Sequence, residues 1–193
     1  MVGRKLKIPV IYEIRAFWED AAVDHGHCQE GDFRYRLSKM IETYVVKNCQ
    51  AVTTICQGLK QDLVSRGVNE QKITIIANAV NVAAFPQITH PCPTLYQKFQ
   101  LDDAFVVGFA GSFYHYEGID VLLKAFAILK ARSLKVKLLL VGGGSQQHNI
   151  EQLIKKLTLE SMVIMTGRVP HEAVKDYYSV MDVTALPRKS MRL

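Results

Sequence analysis

The chain has 193 residues, a formal net charge of +6, and nearly half of its residues apolar, so it can bury a real core in one large or two small domains. No apolar run reaches the roughly 18 residues a membrane-spanning helix needs, and the short apolar stretch near the start, cut off by charge, reads as a strand and not as a signal peptide. Basic residues gather at both ends, Arg4, Lys5 and Lys7 and then Arg188, Lys189 and Arg192. They suit a solvated surface, phosphates or an anionic membrane face, while the lack of interleaved aromatics argues against nucleic acid.

In chain order, residues 8–14 read as a strand. The polar run that follows holds Glu13, Arg15, Trp18, Glu19, Asp20, Asp24 and His25 and reads as a loop. Residues 32–48 read as a helix with Phe33, Leu37, Met40, Ile41, Tyr44 and Val45 on one apolar face. Residues 51–55 form a β-branched strand, 57–65 a helix closed by Gly67, and 72–76 another strand. Residues 86–103, with Pro86, Pro91 and Pro93, mark the boundary between two domains. Beyond it, strands at 106–110, 137–141, 163–166 and 182–186 alternate with helices at 118–131, 148–157 and 171–180. That rhythm predicts βαβ units and parallel sheets.

Chemistry concentrates where strands end. Gly111 and Ser112 follow a strand and precede a helix, a place where backbone N–H groups and a hydroxyl can hold an anion; a plain βα turn would look the same. Gly142, Gly143 and Gly144 also end a strand, and suit either a close-approaching ligand or a tight turn. Gly167, Arg168 and Val169 put a cation just past a third strand, and His171 reads as part of a helix start. In the first half, Arg15, Glu19 and His25 are candidates for acid–base work or for holding a polar acceptor. Cys28, Cys49, Cys56 and Cys92 have neither zinc-ligand nor disulfide-framework spacing, so buried thiols in a reducing compartment are expected, with no metal.

Taken together, VTTICQGLKQDLVSRGV, KITIIANAVNVAAF, FAGSFYHYEGIDVLLKAFAIL, KLLLVGGGSQQHNIEQL and VIMTGRVPHEAVKDYYSVMDVTALP, in this order, resemble group-one, family 4-like glycosyltransferases of the GT-B fold. YEIRAFWEDAAVDHG with RYRLSKMIET resembles a subgroup associated with bacterial exopolysaccharide assembly. The resemblance implies an α/β protein of two partial Rossmann-like domains with parallel sheets. An acceptor-side domain spans residues 1–88, a linker 89–103, and a nucleotide-sugar-binding domain 104–193. It further implies retaining transfer from a nucleotide diphosphate sugar, a substrate and not a cofactor, to a glycan or lipid-linked acceptor in polysaccharide biosynthesis. The setting would be cytoplasmic, at the inner membrane face, with peripheral membrane contact and no metal ion.

By the same resemblance, Gly111 and Ser112 lie near the donor phosphates and residues 167–169 near the nucleotide. Gly142, Gly143 and Gly144 are further donor-side candidates; Arg15, Glu19 and His25 are the catalytic, acceptor-side ones. The pattern departs from the family where Ser112 and Glu117 replace an arginine and a lysine, and where Arg15-Ala16 replaces a His-Asp pair. The family's Glu-x7-Glu segment is expected just past residue 193, and a glycine-rich loop with opening strands before residue 1. The chain therefore resembles the middle half of a transferase. A non-catalytic nucleotide-binding remnant, or an interaction module with open sheet edges, is the alternative reading.

Overall fold

The computed structural model describes residues 2–85 and 88–190, so Pro86 and Arg192 of the sequence reading lie outside the described residues. The chain divides into two compact units, one running up to Val80 and the other Asn81–Ser190. The division falls before the proline-rich stretch and not within it. The supposed linker carries a helix, and its Leu95, Tyr96 and Phe99 pack into the second unit's core. Those three side chains have apolar area to bury, which a spacer does not.

The N-terminal unit begins with helix α1 (Val2–Leu6) and strand β1 (Ile11–Ile14). The expected strand at 8–14 is thus shorter: Pro9 has no N–H to donate, and pairing starts with Ile11 opposite Ala51. Helix α2 (Trp18–Asp24) replaces the loop expected there. Helix α3 (Phe33–Asn48) opens on Asp32, whose carboxylate accepts the Tyr35 N–H at 2.7 Å and is thereby held below the ordinary aspartate pKa. Strand β2 (Ala51–Thr54), helix α4 (Gln57–Ser65) and strand β3 (Ile73–Ile75) complete a parallel sheet of order β1-β2-β3.

The core of this unit is Ile14, Phe17, Val46, Val52, Leu63, Val68 and Ile73. α3 contributes the face carrying Tyr35, Glu42 and Val46. The apolar face read from the sequence points the other way: Phe33 is 80% exposed, and Leu37, Met40, Ile41 and Tyr44 are exposed as well. The amphipathic pattern was real, but the side turned toward the sheet is the one whose glutamate finds a buried partner.

The C-terminal unit holds helix α5 (Pro93–Lys98), strand β4 (Phe105–Ser112), helix α6 (Ile119–Ala131) and strand β5 (Val136–Gly143). Helix α7 (Gln147–Lys156), strand β6 (Val163–Gly167), helix α8 (Val174–Tyr178) and strand β7 (Val183–Thr184) follow. The expected helix 171–180 splits into a 3-10 turn, His171–Ala173, and the shorter α8. The expected strand 182–186 shrinks to β7, which pairs only with Val107 and Gly108 of β4.

All strands of this sheet are parallel, in the order β6-β5-β4-β7. β5 is apolar on both faces because both are covered. Leu138 and Leu140 face a core with Phe109, Leu123, Phe126, Ile150 and Ile154, while Leu139 and Val141 face Leu101, Val106 and Val180. Burying each such leucine or phenylalanine contributes about 2 kcal/mol against exposure. Among the described residues, no helix is long and apolar enough to cross a membrane. The cysteines are free thiols; Cys49 is buried, whereas Cys56 is exposed, contrary to the expectation for all four.

Candidate functional site

In the C-terminal unit, β4 has β5 on one side and β7 on the other. The connections leaving β4 and returning beside it run to opposite sides, which opens a crevice at its carboxyl end. A cavity of about 480 Å³ occupies that place, lined by Ala110, Gly111, Ser112, Gly142, Gly143, Arg168, Val169 and His171, with Phe85, Val174 and Tyr178. Six of the donor-side candidates therefore share one cavity. Gly144 and Gly167 do not line it.

The glycines are there because two backbones nearly touch. Gly111 and Ser112 are the last residues of β4 and pair with Gly142 and Gly143. Gly142 has φ +134°, and a Cβ on it would collide with the Gly111 carbonyl oxygen. Gly144 plays a packing part instead: a Cβ there would stand 2.7 Å from the Phe113 backbone. At Gly111 a Cβ would meet only the Phe109 ring, at 3.4 Å, so a side chain has room at this cavity-lining position.

Arg168 follows β6 and is exposed; its Cγ lies 3.4 Å from where a Gly143 side chain would begin. Among the described residues no carboxylate forms an ion pair with it. His171 enters the cavity from the 3-10 turn after Pro170, its ring centroid 6.0 Å from that of Phe85. The sequence suggested a helix start for His171; what it could not show was that the turn leaves its ring in the cavity.

Glu117 stands where the family resemblance expects a lysine, yet it does not leave a bare acid by the loop. Arg188 donates to it at 2.9 Å and rests 5.4 Å over the Tyr116 ring. Lys189 reaches Asp120 at 2.9 Å. The basic segment after β7 thus folds back on the entry to α6, where its backbone crowds Gly118 and its two cations pair with Glu117 and Asp120.

The N-terminal unit treats its three candidates differently. Arg15 lies in a cavity of about 330 Å³ at the carboxyl end of β1, with Glu13, Ala16, Phe17, Trp18, Ala21 and Glu42. It donates to Asn78 at 2.8 Å and lies 3.7 Å from Glu13. Glu19 is fully buried beneath α2, 2.7 Å from the Arg66 guanidinium, which stacks 3.6 Å over the Phe17 ring. The contact is a close ion pair whose N–H is not aligned for a hydrogen bond, and it takes the Glu19 carboxylate out of a ligand's reach. His25 caps the far end of α2, exposed, its ring 6.1 Å from that of His27.

Glu42, not singled out from the sequence, is 6% exposed, and Tyr12 donates to it at 3.3 Å. Burial, and then the charge of Glu19, push its carboxyl up to about 7. The Tyr12 hydroxyl is raised as well, by burial and by Glu42. Among the described residues, no group of three or more His, Cys, Asp or Glu side chains is arranged to hold a metal ion.

Comparison with known proteins joins these observations. The family described as "Glycosyl transferases group 1" matches residues 94–190, half of the chain, and "Glycosyltransferase Family 4" matches residues 1–84. The gpi3 subunit of phosphatidylinositol N-acetylglucosaminyltransferase from Schizosaccharomyces pombe is 25% identical over 154 residues, 79% of this chain and 32% of its own. CapM of Staphylococcus aureus, a capsular polysaccharide biosynthesis glycosyltransferase, is 25% identical over 161 residues, 80% of this chain and 42% of its own. The crystal structure of HepE from Anabaena with UDP and glucose superposes with a TM-score of 0.75 at 16% identity, over 98% of this chain and 49% of that one. The chain therefore spans about a third to a half of the length of these three proteins.

Proposed function

The chain belongs to the group 1 glycosyl transferases and has the GT-B type of fold, and from that premise we propose that it uses a nucleotide diphosphate sugar. The sugar passes to a glycan or lipid-linked acceptor, with retention of anomeric configuration, in polysaccharide assembly at the cytoplasmic face of a membrane. The single observation that carries the donor assignment is the cavity at the carboxyl end of β4, where Gly111, Ser112, Gly142, Gly143 and Arg168 converge.

The chemistry follows from charge. As the sugar leaves, negative charge builds on the departing diphosphate, and donors already aimed at that place lower the barrier. The closely paired glycine backbones let phosphate oxygens approach, the Ser112 hydroxyl is an additional donor, and the Arg168 guanidinium is a fork suited to phosphate. His171, Phe85 and Tyr178 supply flat or polar surface for the nucleoside. UDP accompanies glucose in HepE, and CapM works in capsular polysaccharide biosynthesis; both support this reading for the present chain.

Calorimetric titration of the purified chain with UDP, GDP and ADP tests it. Saturable binding of one of them, lost in Gly111→Leu without loss of folding, is the expected result. A cooperatively folded chain that binds none of the three would overturn the donor assignment.

A further inference from the structure

We propose that Glu19 and Glu42 share one proton, that this proton fastens helix α2 to the N-terminal unit, and that its loss frees the first turn of α2. The device is a pH-sensitive latch on one wall of the cavity at the carboxyl end of β1. It stands whatever that cavity binds, and it does not rest on the transferase reading.

Four parts of the chain converge on one buried point. Glu19 of α2 is fully buried, Glu42 of α3 is 6% exposed, and a side-chain hydrogen bond joins the two carboxyls. Two carboxyls can be joined in this way only when one of them carries a proton. Arg66, at the end of α4, lies 2.7 Å from Glu19 and is itself buried. Its guanidinium is fixed by the Phe17 ring at 3.6 Å and by Asp62 at 3.4 Å. From β1 the Tyr12 hydroxyl donates to Glu42 at 3.3 Å. The same hydroxyl accepts from the indole N–H of Trp18, the residue that opens α2.

The remaining charged and titratable groups nearby are already placed. Glu13 and Arg15 share the cavity wall with Glu42, lie 3.7 Å from each other and are largely exposed. The Cys49 thiol acts on Tyr12, and β2 brings only Ala51, Val52, Thr53 and Thr54.

Charge balance makes the arrangement a switch. With the proton in place, one carboxylate and one neutral carboxyl face one guanidinium. Burial and the charge of Glu19 favour Glu42 as the proton's holder, with its carboxyl pushed up to about 7. Once the proton leaves, two buried carboxylates compete for a guanidinium that Asp62 also shares. A buried carboxylate without a partner is strongly unfavourable, so one of them moves to water.

The one that moves is Glu19. α3 has sixteen residues, is capped by Asp32, and is anchored in the interior by Tyr35 and Val46. α2 has seven residues and no side-chain cap at its start, and its one buried residue is Glu19 itself. A further tie, from the Tyr35 hydroxyl to Asp20 at 3.1 Å, holds α2 beyond that residue and does not depend on the shared proton. Release is therefore confined to the first turn, where Trp18 lines the cavity.

Trp18 supplies the only indole N–H of the chain, so one cross-peak in a nitrogen-15 spectrum reports on the latch. The purified chain is titrated from pH 5.5 to 8.5 at constant ionic strength. The indole cross-peak should move along a single sigmoid with its midpoint near 7. Amide exchange at residues 18–21, corrected for its intrinsic pH dependence, should be about tenfold faster at pH 8 than at pH 6, with β2 and α4 unchanged.

Glu42→Gln keeps a donor toward Glu19 at every pH and should hold α2 fastened throughout. Should that variant fail to fold, Glu19→Gln removes the second carboxylate and should flatten the curve as well. Replacing both His25 and His27 by glutamine removes the nearby side chains of the type whose charge ordinarily changes in this range, and should leave the transition in place. A flat parent curve overturns the proposal, as does a transition that persists in folded Glu42→Gln or Glu19→Gln, or one that vanishes with the two histidines. A cross-peak shift without faster exchange in α2 means that the pair titrates with the helix still fastened, and overturns the release.

Discussion

The two units use one plan, parallel strands joined by helices, and spend it on opposite kinds of interior. In the C-terminal unit β5 is eight residues long and packed on both faces by leucine, valine and phenylalanine. In the N-terminal unit the strands have three or four residues and there is one apolar cluster. The buried polar residues of the described chain, Glu19, Glu42 and Thr54, all lie there. The C-terminal unit covers both faces of β5 and brings glycine backbones together at one end, so its cavity has a main-chain floor. The N-terminal unit builds its cavity from side chains over a buried ionic cluster, so its site depends on charge and protonation.

The largest expected effect breaks this comparison at its rigid end. Gly142→Val must place a branched side chain at φ +134° and against the Gly111 carbonyl oxygen. The strain and the clash together should cost about 4 kcal/mol or more and unpair β4 from β5. Amide exchange should then show protection lost across the C-terminal unit and retained in β2 and α4. Gly111→Val, one strand over, meets only the edge of the Phe109 ring and should keep the fold while losing UDP. Equal damage from both would mean that the glycine pair is not the rigid frame assigned to it.

How much of each unit could be read from the sequence follows the same division. β4 and β5 of the C-terminal unit show as short apolar runs because both their faces are packed. The cavity glycines stood out as well, though that Gly111 lies opposite Gly142 depends on register, which composition does not encode. α3 was legible as amphipathic, but its inward side was not: Glu42 points inward because Arg66, Glu19 and Tyr12 arrive from distant parts of the chain to meet it. α2 was missed because Trp18–Asp24 reads as a polar loop, and its buried anchor, Glu19, is recognisable only once Arg66 is beside it. His171 was visible as a helix start, but the 3-10 turn that sets its ring in the cavity was not.

A second, smaller effect sharpens the comparison at the ionic end. Glu42 has a folded pKa of about 7, against roughly 4.3 for an unfolded glutamate. Below about pH 4.3 both states are protonated and the group is neutral toward stability. Between that point and pH 7 the folded state holds a proton that the unfolded state has lost, so unfolding becomes easier as pH rises. Above the folded value the curve is flat again, with on the order of 3 to 4 kcal/mol lost in all. Urea unfolding of the N-terminal unit at pH 5 and pH 8 measures this, and Glu42→Gln should remove most of the slope. Parallel pH curves for the variant and the parent would show that Glu42 is not the group taking up the proton.

The smallest effect separates the two cavities by their arginines. Arg168 is exposed, makes no ion pair among the described residues and borders the glycine backbones. Its removal therefore takes nothing from the fold, and Arg168→Ala should shift the thermal midpoint by less than about 2 °C. It should nonetheless weaken UDP about tenfold, the loss of one charge-assisted contact to a phosphate in a partly open site. Arg15 is tied to Asn78 and Glu13 in the other cavity, and Arg15→Ala should leave UDP affinity unchanged. Calorimetry on the two variants side by side settles which arginine meets the nucleotide. If Arg15→Ala weakened UDP as much as Arg168→Ala, the nucleotide would have to draw on the N-terminal unit as well, and the assignment of main-chain and side-chain sites to separate ligands would fail.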